Sequence, residues 1–414
     1  MKIAHFSDLH LTDDARRPWR LGDQAATLAA LVDDVLTTEP DLVLLGGDLY
    51  GHEVPHRSTP RERAVLFPQL VRLAAVAPVV VVQGNHDLAD EIEALAHLGA
   101  DGAWPIRVVT GAAVLSVPTR AGTAHVYALA YPTKRGLLSG EEAPAGGAVG
   151  AQAAVEDALR GLLGAWGHRV RRRRVSHPTE VHVGLMHVQV AGSQTSGGEV
   201  LDGQEVQIHR SALDDLGLDY VALGHLHRRQ EVARRAWYCG SPWRNDHSER
   251  EPKGWHSVNV AIDRYGVEHR LTSCRAFATL DYTWGPPADR EAADAGWLTR
   301  PTEAAILYCA GAEVRMRLTV SEAHVAGCPW SAEVERVTAI ANRVVEERTI
   351  TPVHRVRAPE VAAAITDADK AIAYWSSLAD PPIESDRASA IDAITILDRL
   401  DDEAIAIELR AMVS

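Results

Sequence analysis

Five short apolar runs in this chain each stop at a cluster of Asp, Asn or His. Residues 3–7 run into Asp8-Leu9-His10, 42–45 into Gly47-Asp48, and 79–82 into Gly84-Asn85-His86-Asp87. Residues 181–186 run into His187, and 220–223 into Gly224-His225-Leu226-His227. An unbroken apolar run of this length reads as a strand buried on both faces of a parallel sheet. Between the first three runs, residues 21–38 and 61–76 carry apolar positions at helical spacing. Strand alternating with helix predicts an α/β layered domain.

Further along, 90–98 suggests a short helix, 108–117 and 125–130 read as strands, and the Gly- and Ala-rich 139–150 as a loop. A helical pattern returns at 151–163, and 237–241 and 257–262 read as late strands closing a first domain near residue 275. Composition then shifts: 284–300 holds Pro, Gly and acidic residues but no ligand motif. Residues 314–320 alternate as a strand and 331–346 as an amphipathic helix, which predicts a small α+β unit. From 359 onward helix formers dominate, with a break at Pro381-Pro382. There Ile391, Ile394, Leu397 and Leu400 recur at three-residue steps.

At 414 residues the chain exceeds a single core of about 250, so two or more domains are expected. No stretch approaches ~20 apolar residues, so no membrane span is predicted. A strand with a ligand motif fills the first ten residues, so no cleaved leader is expected. Cys239, Cys274, Cys309 and Cys328 are widely spaced without a C-x-x-C pair, which reads as reduced thiols in a cytoplasmic protein. Forty-two basic against 56 acidic residues give a net charge of −14, which opposes diffuse binding to polyanions. Two arginine clusters stand against that balance. The one at 169–174 reads as a solvated loop or helix end. The other, Arg228, Arg229, Arg234 and Arg235, starts one residue after His227 and offers Arg228 and Arg229 as phosphate contacts.

In open α/β sheets ligands gather at the carboxyl ends of strands. Seven candidate metal ligands therefore converge on one rim: Asp8, His10, Asp48, Asn85, His187, His225 and His227. One ion rarely takes seven protein side chains, whereas two ions sharing a bridging carboxylate do. Residues two apart on an extended strand face the same side, so Asp8 and His10 can grip one ion, and His225 and His227 repeat the device. Asp48 follows two glycines that let the chain turn sharply, which makes it the natural bridge. Asn85 offers a neutral oxygen, leaving His86 free to move a proton. His52 lies four residues past Asp48, within reach of a substrate. His5, inside the first run, reads as a buried, hydrogen-bonded side chain. The pattern predicts a two-metal hydrolase, and its N/O donors suit manganese, iron, zinc or magnesium.

D-x-H, G-D, G-N-H-D, a lone strand-end His and G-H-x-H, in that order, resemble the calcineurin-like metallophosphoesterase superfamily. A narrower match, to the SbcD-type DNA repair nucleases, lies in Leu218-Asp219-Tyr220-Val221-Ala222-Leu223-Gly224-His225-Leu226-His227 and Tyr238-Cys239-Gly240-Ser241-Pro242. The Gly/Ser loop and acidic segment at 191–208 resemble them too, as do 277–282 and 314–320 in the capping domain and 371–405 in the ATPase-docking helices. The resemblance implies an α/β fold: a layered domain at 1–275 (a β-sandwich flanked by helices), a small α+β capping domain at 276–358 and a C-terminal helical segment at 359–414. It implies Asp8, His10, Asp48 and His227 on one ion and Asp48, Asn85, His187 and His225 on the other, both most often manganese. His86 would face the scissile phosphate, with Asp87 behind it. DNA as substrate, an SbcC-type ATPase partner, a homodimer and a cytoplasmic location follow from the same resemblance. One stretch departs from the family: Trp243-Arg244-Asn245-Asp246-His247 replaces the apolar segment usual after Gly-Ser-Pro. A stand-alone phosphodiesterase acting on a small nucleotide would share every ligand but has no use for 277–414.

Overall fold

The computed structural model of the chain describes residues 1–15, 17–51, 57–99, 104–133, 147–199, 206–261, 265–285, 298–351, 364, 366–376 and 384–397. The chain opens with β1 (Lys2–Phe6), α1 (Arg20–Thr37), β2 (Leu42–Leu45), α2 (Pro60–Ala74) and β3 (Val79–Val82). Then come α3 (Ala89–Ala94), β4 (Ile106–Val109), β5 (Ala112–Thr119), β6 (Gly122–Leu129), α4 (Gly147–Ser176) and β7 (Val181–His187). A short pair, β8 (Gln189–Val190) and β9 (Gln207–Ile208), precedes α5 (Arg210–Asp215) and β10 (Tyr220–Gly224). Four more strands follow: β11 (Gln230–Ala233), β12 (Ala236–Tyr238), β13 (Gly254–Val260) and β14 (Tyr265–Leu271).

Two six-stranded sheets form the sandwich, ordered β14-β13-β1-β2-β3-β4 and β11-β12-β10-β7-β6-β5. In the first, β1 to β4 run parallel; in the second, β6, β7, β10 and β12 do. Strand alternation explains the layering. Leu42 and Leu44 of β2 enter the core between the sheets, beside Val126, Leu185 and Ala222 of the facing sheet. Val43 and Leu45 turn the other way, against Leu28 and Leu31 of α1 and Leu66 and Leu70 of α2. On the far side, Tyr127, Met186 and Leu223 meet Leu159, Leu163 and Trp166 of α4. Both faces of the central strands are thus apolar, which is why they read as unbroken runs. At the start of α2, Thr59 accepts from the Glu62 amide while the Glu62 carboxylate accepts from the Thr59 amide, a capping box with Pro60 in the first turn.

The structure corrects several expectations. Residues 108–117 are not one strand: the chain turns at Thr110-Gly111, and β4 and β5 belong to different sheets. The helix expected at 151–163 runs from Gly147 to Ser176, so the arginines at 169–174 are helical. Residues 331–346 divide into a helix, Trp330–Thr338, and the start of a strand, Arg343–Thr351. Strand β14 carries no apolar run in the sequence, because its alternation is mostly polar on a sheet edge. The chain divides into two compact units, Met1–Tyr282 with Arg300–Leu318 and Pro329–Glu347, and Thr283–Thr299 with Thr319–Cys328 and Arg348–Ser414. The second contains helices Asp367–Ser376 and Glu384–Leu397. All four cysteines are free thiols. Among the described residues no helix is long and apolar enough to cross a membrane.

Candidate metal centre

Strands β1, β2, β3, β7 and β10 all end on the same rim, and each delivers its polar residues at or just past its last paired position. The backbone there is unusual. Six described non-glycine residues have positive φ, and four of them are Asp8 (57°), His10 (44°), Asp48 (51°) and His225 (103°). Such conformations cost of order 1–3 kcal/mol each and persist where the surroundings enforce them. Here the Asp8 amide donates to Gly47 O at 3.0 Å and the His10 amide to Asp48 O at 3.0 Å. The His225 amide donates to Asp8 Oδ1 at 3.0 Å. Glycine is required at two close approaches. A Cβ on Gly84 would overlap the Asp48 carboxylate, and one on Gly224 would overlap the Gly46 carbonyl.

The side chains form two abutting groups. In one, His10 Nε2 and His227 Nε2 lie 2.9 Å apart, with Asp8 completing a set of mutually close donor atoms. In the other, Asn85 Oδ1 lies 3.0 Å from His187 Nε2 and 3.1 Å from His225 Nδ1. Asp48 joins them: its Oδ2 is 3.5 Å from His10 Nε2 and 3.4 Å from His187 Nε2. Its Oδ1 accepts from the His86 amide at 2.9 Å. The His86 ring stands 5.0 Å from that of His10, close enough for its nitrogen to join His10 and Asp48.

Charge in this cluster is unevenly held. Burial keeps His10 well below the usual imidazole range despite Asp48 beside it. Burial opposes a charge on His187 too, but Asp48 outweighs it and lifts the imidazole to about 9. Burial raises Asp48 as well, yet His187 holds its carboxyl well below the usual range. Without a metal, then, an imidazolium neutralises a fully buried carboxylate, and further ring nitrogens face one another. Nitrogen and oxygen donors this close, aimed at common points and anchored by a shared carboxylate, fit a pair of divalent cations. A hydrogen bond between His10 and His227 accounts for that one contact but leaves Asp8, Asp48, His86 and His187 converging on the same points.

All seven predicted ligands meet at this rim, and His86 is beside them. Asp87 accepts from the Leu49 amide at 2.9 Å, the Tyr50 amide at 3.2 Å and the Gly84 amide at 3.0 Å, tying the Asp48 loop to the Asn85 loop. Burial, then Asp48, raises its carboxyl to about 7. Arg229 is placed differently from the expectation: its Nε donates to His256 at 3.2 Å and its guanidinium lies 5.1 Å from the Trp237 ring centroid. No ion pair of Arg228 is found among the described residues, and His52 lies outside them. Arg234 and Arg235 join Arg174 around a hollow at the amino-terminal ends of the strands, away from the ligands. One residue escaped the sequence reading. Glu249 Oε1 takes the Nδ1 proton of His227 at 2.7 Å, and no spacing rule links a glutamate to a histidine 22 positions earlier.

A family model described as calcineurin-like phosphoesterase matches residues 1–229. The chain is 28% identical over 261 residues to a Rhodobacter capsulatus protein named as the SbcD subunit of nuclease SbcCD, covering 59% of this chain and 62% of that one. It is 29% identical over 269 residues to its namesake in Bacillus subtilis, covering 60% and 63%. The match thus spans less than two thirds of either relative. The crystal structure of TT1561 of Thermus thermophilus aligns at 12% identity and a TM-score of 0.35, over 65% of this chain and 98% of that one. With more than half its length matched and its polar residues gathered at the strand ends, the chain belongs to the calcineurin-like phosphoesterase family and has that family's α/β metallophosphoesterase fold.

Proposed function

We propose that this chain is a metal-dependent DNA nuclease, with exo- and endonuclease activity, that works with an SbcC-type ATPase in double-strand-break repair. The observation that carries the reading is the placement of Asp48 between two donor groups, the arrangement that phosphodiester hydrolysis by paired ions requires. The relatives' names, each the D subunit of a nuclease SbcCD, support a nucleic-acid substrate and a partner subunit. Asp8, His10, Asp48 and His227 would hold one ion, and Asp48, Asn85, His187 and His225 the other, with manganese the metal of choice. Bound there, the ions would polarise the phosphate and make water a competent nucleophile at neutral pH. His86 sits at the edge of the cluster as proton donor to the leaving oxygen, a role worth about 10²–10⁴-fold. Asp87 fixes the loop that presents it. Residues 276–358 serve as the capping domain and 359–414 as the ATPase-docking segment of a cytoplasmic homodimer.

A second reading, a phosphodiesterase for small nucleotides, is favoured by the hollow of about 400 Å³ beside His225 and His227. Its described lining includes Thr195, Ser196, Glu199, Ser248 and Glu249 but no arginine or lysine, so it offers hydroxyls and carboxylates rather than cations to a flanking phosphate. Incubation with Mn²⁺, end-labelled linear duplex DNA and bis-p-nitrophenyl phosphate separates the two readings. Cleavage of both substrates, lost in Asp48→Ala, is the expected result. Turnover of the small ester with duplex untouched, even when the ATPase subunit is added, would overturn the nuclease reading in favour of the second.

A further inference from the structure

Two ligand histidines on this rim are oriented by different kinds of acceptor. His187 gives Nδ1 to a neutral carbonyl, Gly46 O, at 2.5 Å, and turns Nε2 toward Asp48 and Asn85. His227 gives Nδ1 to the Glu249 carboxylate at 2.7 Å and turns Nε2 toward His10. Glu249 is itself held. Its other oxygen meets the Lys253 ammonium at 2.6 Å and accepts from the Asn245 amide at 3.2 Å. Lys253 also donates to Glu251 at 2.7 Å, to Ser241 Oγ at 3.0 Å and to the His227 carbonyl at 3.1 Å. The side chains of Lys253 and Glu249 are only 1% and 4% exposed. Lys253 is one of four lysines in an arginine-rich chain.

A buried ion pair is a poor stability device, because desolvating both charges offsets most of their attraction. The pair has a positional consequence instead. An ionised acceptor on Nδ1 fixes the ring tautomer and makes the opposite nitrogen a stronger donor than a carbonyl does. The segment that seats Glu249 is the one that departs from the family pattern: Asn245 also receives Arg20 Nη2 on its side-chain oxygen at 2.8 Å, and Arg244 Nε donates to Glu249 O at 3.0 Å.

We propose that Glu249, clamped by Lys253, is a positioning residue that commits Nε2 of His227 to metal and makes the His227–His10–Asp8 position the tighter of the two ion sites. The inference rests on the two-ion reading of the rim. Mn²⁺ titrated into the full chain by calorimetry should show two steps. Glu249→Gln should weaken the tighter step by about 10–100-fold and leave the other nearly unchanged, the usual size of an outer-partner effect. Glu249→Gln leaves buried Lys253 with Glu251 alone as its ion-pair partner, so Glu249→Gln with Lys253→Met is the folding-safe version and should show the same selective loss. Two unchanged steps, or equal weakening of both, would overturn the proposal while leaving the two-ion reading intact; no Mn²⁺ binding by the unaltered chain would overturn both. Long-range ¹H–¹⁵N spectra of the unaltered, Zn²⁺-loaded chain give a readout free of any variant. A His227 ring that keeps its proton on Nδ1 supports the assignment, and one that keeps it on Nε2 overturns it.

Discussion

Two of the histidine groups in this sandwich behave oppositely. At the rim, His10, His187, His225 and His227 lie at or just past strand ends, and two of the four have left-handed backbone. Inside, His5 of β1, His256 of β13 and His269 of β14 form a row across three adjacent strands in regular register. The Tyr220 hydroxyl of the facing sheet lies 2.8 Å from His5 Nδ1 and 3.3 Å from His256 Nδ1, and Arg229 caps His256 from the other side. In the interior row His5 and His256 share the Tyr220 hydroxyl and His269 joins by an edge-on ring contact with His256, while the rim group points its nitrogens at one another. Position relative to the strand end, more than residue type, separates chemistry from packing.

The largest expected effect is at the rim. Asp48→Ala should remove the joint between the two donor groups and take phosphodiester turnover to background, while circular dichroism reports a folded chain. Next comes His86→Ala, which should cut kcat by about 10²–10⁴-fold with Mn²⁺ affinity unchanged in a titration. Full turnover by that variant would remove His86 from the mechanism. Inside the sandwich, Tyr220→Phe should cost about 1–3 kcal/mol in urea unfolding, because it strips a buried imidazole of its partner. Its Mn²⁺ affinity should stay that of the unaltered chain, and a coupled change would break the distinction between the two groups.

The gentlest effect is on pH. Burial, aided for His256 by its charged neighbours, pushes His5 down to about 3, His256 to about 2 and His269 to about 4, against an ordinary 6.5. Between those values the unfolded chain binds protons that the folded chain refuses. The stability contributed by these rings is therefore complete above about pH 6.5 and drains as pH falls toward 4 and below. Asp87 and His187, raised to about 7 and about 9, titrate in the opposite sense, so the row is read by difference. The urea midpoint of the metal-free chain should fall between pH 7.5 and 5 by more than that of His256→Phe, and an equal fall would show that the ring titrates as exposed histidine does.

Much of the rim is legible in the sequence because a buried parallel strand and its terminal ligands are neighbours in the chain. Residues 42–45 and 79–82 are strands as read, and Asp48 and Asn85 follow them within a few positions. Legibility fails where partners are far apart. Glu249 reaches His227 only because β11 and β12 return the chain to the rim, and Arg229 turns toward His256 although it adjoins a ligand. It fails also where an apolar run crosses between sheets, as at Thr110-Gly111, since both sheets bury the same residue types. The left-handed backbone at Asp8, His10 and Asp48 is only faintly signalled by residue type: Asp and His adopt it more readily than most side chains, but glycine, the residue that favours it, is displaced there by the chemistry.

On the reading proposed above, these seven side chains hold two ions with Asp48 between them. Crystals of the chain grown with Mn²⁺ and measured at the manganese absorption edge test it directly. Two anomalous peaks per chain are expected, each beside one donor group and both in contact with the Asp48 carboxylate. A single peak, or two that leave Asp48 without contact, would contradict it.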